Sequence, residues 1–109
     1  MTDDLPDETK RTQEYPDVDL RLLKVILERG TRKWEFVWNG IKIGAPVLDD
    51  AFWEKLRLRE IEIAQGDSIQ ATLKVYQTLD PYSLVYLNER YEVINIKKER
   101  YTRNKRGTR

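Results

Sequence analysis

Between Lys33 and Ile43 apolar side chains fall at every second position. Trp34, Phe36 and Trp38 alternate with Lys33, Glu35 and Val37, and Ile41 and Ile43 flank Lys42. A period of two sends successive side chains to opposite faces of a strand. Asn39-Gly40 separates the two runs. A two-residue type I′ turn needs positive φ at both central positions, and this pair tolerates it, so the pattern predicts a tight hairpin. Ile69, Ala71, Leu73 and Val75 alternate with Gln70, Thr72, Lys74 and Tyr76 and predict a long strand. Asp80-Pro81-Tyr82-Ser83 then reads as a turn, with a last strand over about residues 84–96.

The remaining segments are less periodic. Residues 20–27 fit a helical face of Leu22, Leu23, Ile26 and Leu27, or a strand face of Leu23, Val25 and Leu27. Brevity, and the strand that follows Gly30, favour the strand. Pro46 ends the hairpin, and Asp49 or Asp50 can cap a short helix through about Arg59 with Phe52, Trp53 and Leu56 on its apolar face. Ile61 and Ile63 suggest one more short strand before a turn at Gln65-Gly66-Asp67. The sum is a mainly β fold: a small five- or six-stranded, partly open β-barrel with one short helix. A barrel is favoured over a flat sheet because it removes exposed edges.

Charge divides the chain further. Residues 1–19 carry seven acids against Lys10 and Arg11, a net −5, whereas residues 97–109 carry seven bases against Glu99, a net +6. The expected organisation is a disordered acidic arm over 1–18, a barrel domain over 19–97 and a flexible basic tail over 98–109. Neither cysteine nor histidine occurs. Disulfides, thiolate chemistry and Ser-His-Asp triads are therefore excluded, and the commonest metal ligand and near-neutral general base are missing. No catalytic residue, metal or cofactor is expected. No apolar run has the length of a membrane span and the first residues are acidic, so the reading predicts a soluble, cytoplasmic protein.

Lys33-Trp34-x-Phe36, Asp49 followed by Phe52, Gly66-Asp67, Leu73, Gln77 and Tyr91-Glu92-Val93 fall in one order. Over roughly residues 22–96 this resembles a β-strand-rich module at the C-terminal end of longer, uncharacterised bacterial proteins. The resemblance implies an accessory module that binds a partner or ligand, and carries no activity onto named residues.

Three sets of residues are candidates for recognition. Trp34, Phe36 and Trp38 read as core, the alternative being a platform for stacking bases. Tyr76, Tyr82 and Tyr86, with Lys74, lie on or near the long hairpin and make either a partner or ligand surface or cross-strand pairs. Lys97, Lys98, Arg100, Arg103, Lys105 and Arg106 make either phosphate contacts or a solvated terminus that can fold back on the acidic arm. Asp49 and Asp50 read as a helix cap rather than a cation site. The expected function is a non-catalytic module for a protein partner or small polar ligand, accessory to a larger bacterial system, with defence as one setting. The alternative is a nucleic-acid-binding barrel of the OB or SH3-like kind using the basic tail.

Overall fold

The computed structural model describes residues 9–101, in which β1 (Lys10–Lys24), β2 (Trp34–Trp38), β3 (Ile41–Ala45), α1 (Asp50–Arg57), β4 (Ser68–Leu79) and β5 (Tyr86–Arg100) follow one another. The strands pair antiparallel in one sheet of order β3-β2-β1-β4-β5. The β2–β3 hairpin forms where the alternation places it. Trp38 pairs with Ile41 across Asn39 and Gly40, whose φ values are +52° and +79°.

The sheet curls until the segment after β3 meets β5. Val47 lies parallel to Val93, Leu48 N–H donates to the Val93 carbonyl at 2.8 Å, and Val93 N–H donates to the Pro46 carbonyl at 3.0 Å. This single parallel bridge, rather than a full ladder, joins the two edges, so the barrel is partly open. Its interior holds Leu20 and Leu22 of β1, Trp34 and Phe36 of β2, Ile43 and Ala45 of β3, Ile69, Ala71, Leu73 and Val75 of β4, and Val93 of β5. Helix α1 covers one end. Trp34 meets Phe52 and Trp53 edge-on at 6.3 and 5.7 Å between ring centroids, and the Trp53 indole N–H donates to the Val47 carbonyl at 2.8 Å. At the other end Trp38 packs against Tyr15 and Tyr91.

Four expectations are corrected. Residues 10–18, expected in a disordered arm, form the first part of β1, where Lys10 pairs with Thr78 and Tyr15 with Leu73. Ladder bonds to β4 supply what this polar stretch lacks in apolar content. Pro16, which has no N–H to give, sits at the irregularity between Tyr15 and Val18, where Asp17 takes a φ of +59°. Residues 98–100, expected in the tail, extend β5 opposite Gln70, Ile69 and Ser68. Leu20 and Leu22 face inward, in place of the expected face of Leu23, Val25 and Leu27. Ile61 and Ile63 lie in an irregular segment, so the sheet has five strands. Residues 1–8 of the acidic arm and 102–109 of the tail, with Arg103, Lys105 and Arg106, lie outside the described residues.

The first part of β1, the second part of β4 and the first part of β5 pair beyond the barrel as a three-stranded ribbon. The molecule measures 65 × 27 × 20 Å in consequence. Polar side chains fasten the ribbon where the core stops: Arg11 Nε donates to Gln77 Oε1 at 2.7 Å, and Gln77 Nε2 donates to Asn88 Oδ1 at 2.7 Å.

Candidate protein-docking site

The β4–β5 turn forms the ribbon's tip, and its geometry follows from Asp80. The Asp80 carboxylate accepts from Ser83 Oγ at 2.6 Å, from Ser83 N–H at 3.2 Å and from Tyr82 N–H at 3.5 Å. These bonds, led by the Ser83 hydroxyl, hold the Asp80 carboxyl below its ordinary range. Asp80 N–H donates to the Val85 carbonyl at 2.9 Å and Leu84 N–H donates to the Asp80 carbonyl at 2.8 Å, which locks both ends of the turn.

The turn displays apolar side chains to solvent. Tyr82 is 92% exposed, Leu84 71%, Val85 53% and Leu87 51%. Leu84 sits at a φ of +61°, in the left-handed region that favours glycine or asparagine. A side chain there costs of order 1 kcal/mol or more, and such strain collects at functional positions.

The other candidates divide between the ribbon's two faces. Lys74 and Tyr76 share a face with Arg90 and Glu92: the Tyr76 hydroxyl donates to Glu92 Oε1 at 2.9 Å, and the Arg90 guanidinium lies 3.7 Å from the Tyr76 ring centroid. The Tyr76 oxygen, with Glu92 and Glu14 behind it, raises the affinity of Lys74 for its proton. Tyr86 lies on the opposite face, where Arg11 stacks 3.8 Å from its ring centroid. The ribbon therefore uses Tyr76 and Tyr86 in cation–π contacts on opposite faces, while Tyr82 belongs to the tip. Lys97 Nζ donates to Asp17 Oδ1 at 2.5 Å, tying the basic stretch back to the acidic one, while Lys98 and Arg100 stand exposed on β5.

At the other end of β4 the surface is concave. A cleft of about 630 Å³ is floored by Trp53, Leu56, Ile61 and Ile63, with Leu27 at its side. Arg29, Arg57, Arg59 and Glu62 stand around it. Arg29 reaches Asp50 at 2.5 Å, and Arg57 pairs with Glu54, whose carboxyl it holds below the ordinary range.

Leu84, Val85 and Leu87 are exposed residues of the candidate site that the alternating pattern does not reveal. The available signal is Leu-Val-Tyr-Leu directly after an Asp-Pro turn, too short a run to build a core of its own. The cleft has no signal along the chain, because its walls come from the loop after β1, from α1 and from the segment before β4.

Among the described residues no group of three or more Asp, Glu, His or Cys side chains is placed to hold a metal ion, and no helix is long and apolar enough to cross a membrane. No family model matches this chain, and neither a curated protein nor a solved structure does.

Proposed function

We propose that the protein is a non-catalytic binding module that docks onto a protein partner through the tip of its β4–β5 ribbon. The exposed leucine at positive φ carries this reading: Leu84 is strained and displayed at once, beside Tyr82, Val85 and Leu87. A soluble domain gains nothing in its own stability from that arrangement, whereas a partner's apolar pocket would bury it. A small polar ligand suits such a tip poorly, so the reading narrows to a protein. The absence of histidine and cysteine from the sequence supports a binding rather than a catalytic role. The resemblance to modules of longer bacterial proteins supports an accessory role in the cytoplasm, with defence as one setting.

The reading is tested by placing a photo-cross-linking amino acid at position 82 and irradiating cells that produce the protein. Cross-links to protein that vanish with Leu84→Asp and Leu87→Asp are expected. Cross-links that persist unchanged in that double variant would refute it.

A second reading has one specific observation behind it. Two strand pairs flanking β1, a helix between β3 and β4, and a parallel contact between the end of β3 and β5 resemble the connectivity of an OB-type barrel. Arg21, Lys24 and Lys42 are exposed on β1 and β3, where oligonucleotides lie on such barrels, with Lys33 beside them. Binding of a labelled single-stranded oligonucleotide, weakened by salt and by Arg21→Ala with Lys42→Ala, would favour it.

A further inference from the structure

We infer that the outer edge of β1 pairs antiparallel with the same edge of a second copy, about a two-fold axis at Thr12. This goes beyond the tip's docking role and involves a different surface.

The register of the sheet fixes which backbone groups this edge offers. Val93 spends its N–H on Pro46 and its carbonyl on Leu48, on the side away from β4. In an antiparallel ladder such a residue belongs to a pair without hydrogen bonds, and such pairs alternate with bonded ones. Val93 opposes Leu73 and Tyr91 opposes Val75, so Val75 turns its N–H and carbonyl towards β1. There it meets Gln13. Gln13 therefore bonds to β4, while Lys10, Thr12 and Glu14 direct their backbone groups the other way. The ladder with β2 covers Arg21 to Lys24, so among the described residues this stretch of β1 is an open edge.

An open edge takes an extended chain, and the charges here select which one. Lys10, Thr12 and Glu14 share one face of the strand. Lys10 and Glu14 are exposed, and among the described residues neither makes a hydrogen bond or ion pair. Glu14 acts on Lys74 through space, as the least of that lysine's influences. In an antiparallel pair centred on Thr12, Lys10 of each copy stands opposite Glu14 of the other. Opposite charges so placed stabilise a sheet, as does a threonine facing its own equivalent. Two backbone bonds at each of the three positions add about six in all. On the other face Arg11 falls opposite Gln13, so no like charges are opposed.

The register has no close competitor. A slip of two residues would set Lys10 against Thr12 or Pro16 and lose both ion pairs. Pro16, the next position along the edge, has no N–H to give and ends the ladder. Each copy uses the same edge, so the assembly closes at two. The contact is short and polar, so association is weak and reversible. β4 holds Lys10 to Glu14 extended, so the edge exists only in the folded chain.

Sedimentation velocity on the whole chain tests this. The wild type is expected to pass from monomer to dimer, with nothing larger, as concentration rises from about 10 µM to 1 mM. Thr12→Pro removes an N–H that the monomer does not use, so it should keep the fold and stay monomeric. Lys10→Glu alone and Glu14→Lys alone oppose like charges and should each dimerise about tenfold more weakly than the wild type. Mixed in equal amounts, these two variants should associate as tightly as the wild type, because every acid then faces a lysine. Circular dichroism melts establish that all three variants are folded. A wild type that stays monomeric to about 1 mM, or that grows beyond the dimer, would overturn the inference. So would a dimer that Thr12→Pro leaves intact, or a mixture that associates no better than its components. Cross-linking from position 82 reads the tip alone, so the two readings fail separately.

Discussion

The Asp49 carboxylate accepts a hydrogen bond from the Ile96 amide at 2.7 Å, across 47 residues of chain. Its other oxygen accepts from Phe52 N–H at 3.2 Å and caps α1. One side chain thus satisfies a helix end and a strand edge together. Asp49→Ala is expected to cost about 1–3 kcal/mol, the loss of a cap combined with a partly buried amide left without its acceptor. Asp49→Asn keeps an acceptor oxygen and should lose less. Chemical denaturation of the three proteins checks the order.

Phe36 is wholly buried and stacks on Trp34 at 6.2 Å between centroids. Phe36→Ala should cost about 3–5 kcal/mol, a large share of the stability of so small a domain. A thermal melt with an unchanged midpoint would contradict the packing described.

Gly40 has no heavy atom within 4 Å of where a Cβ would stand, yet its φ is +79°. A side chain there meets backbone strain alone. Gly40→Asn is expected to be tolerated, whereas Gly40→Val should cost roughly 1–2 kcal/mol. Equal melting temperatures for the two variants would show that the turn does not require positive φ.

The ribbon's tip is expected to loosen in acid. Asp80 ionises more readily in the folded turn than in the unfolded chain, because its hydrogen bonds with Ser83 favour the carboxylate. Its contribution is complete above the unfolded value of 3.8 and is lost as pH falls through the lower folded value. The amide resonance of Ser83 should therefore titrate below the ordinary aspartate range, and Asp80→Asn should abolish that titration.

β5 continues to Arg100, where Lys98, Glu99 and Arg100 pair with Gln70, Ile69 and Ser68. A chain ending at Ile96 uncovers the buried Ile69 and removes Tyr101 from against the core. It should melt several degrees below a chain ending at Tyr101, each kcal/mol being worth about 4–8 °C in a domain of this size. Coincident melts would mean that the last residues of β5 add no stability.

The hairpin was legible because Trp34, Phe36 and Trp38 alternate and because Asn39-Gly40 admits only a narrow set of turns. The helix was legible from Asp49, Phe52 and Trp53. The first half of β1 was not, because a ribbon with two solvated faces has no apolar alternation to reveal it. Residues 10–18 are strand by virtue of their partners on β4. Ile61 and Ile63 alternate without forming a strand, since both help to line a cleft between elements. Of the tip, Tyr82 was visible as an aromatic in a turn. The positive φ of Leu84 depends on how Asp80 folds the turn around it, which the residue types alone do not dictate.

The pairing of β1 with β4 governs the order in which the chain can assemble. The β2–β3 hairpin joins neighbours and can close within about 1–10 µs of becoming available. The first part of β1 must wait, because Lys10 pairs with Thr78 and Tyr15 with Leu73, whereas its end can already pair with β2. Contacts so distant along the chain slow folding. At roughly 5–20 residues per second of synthesis, the first part of β1 stays unpaired for seconds after it emerges. An apolar strand left so long would invite pairing with other nascent chains. Lys10, Arg11, Glu14, Asp17 and Asp19 instead give the waiting strand a charged surface, so the polarity that disguises it in the sequence protects it until β4 arrives.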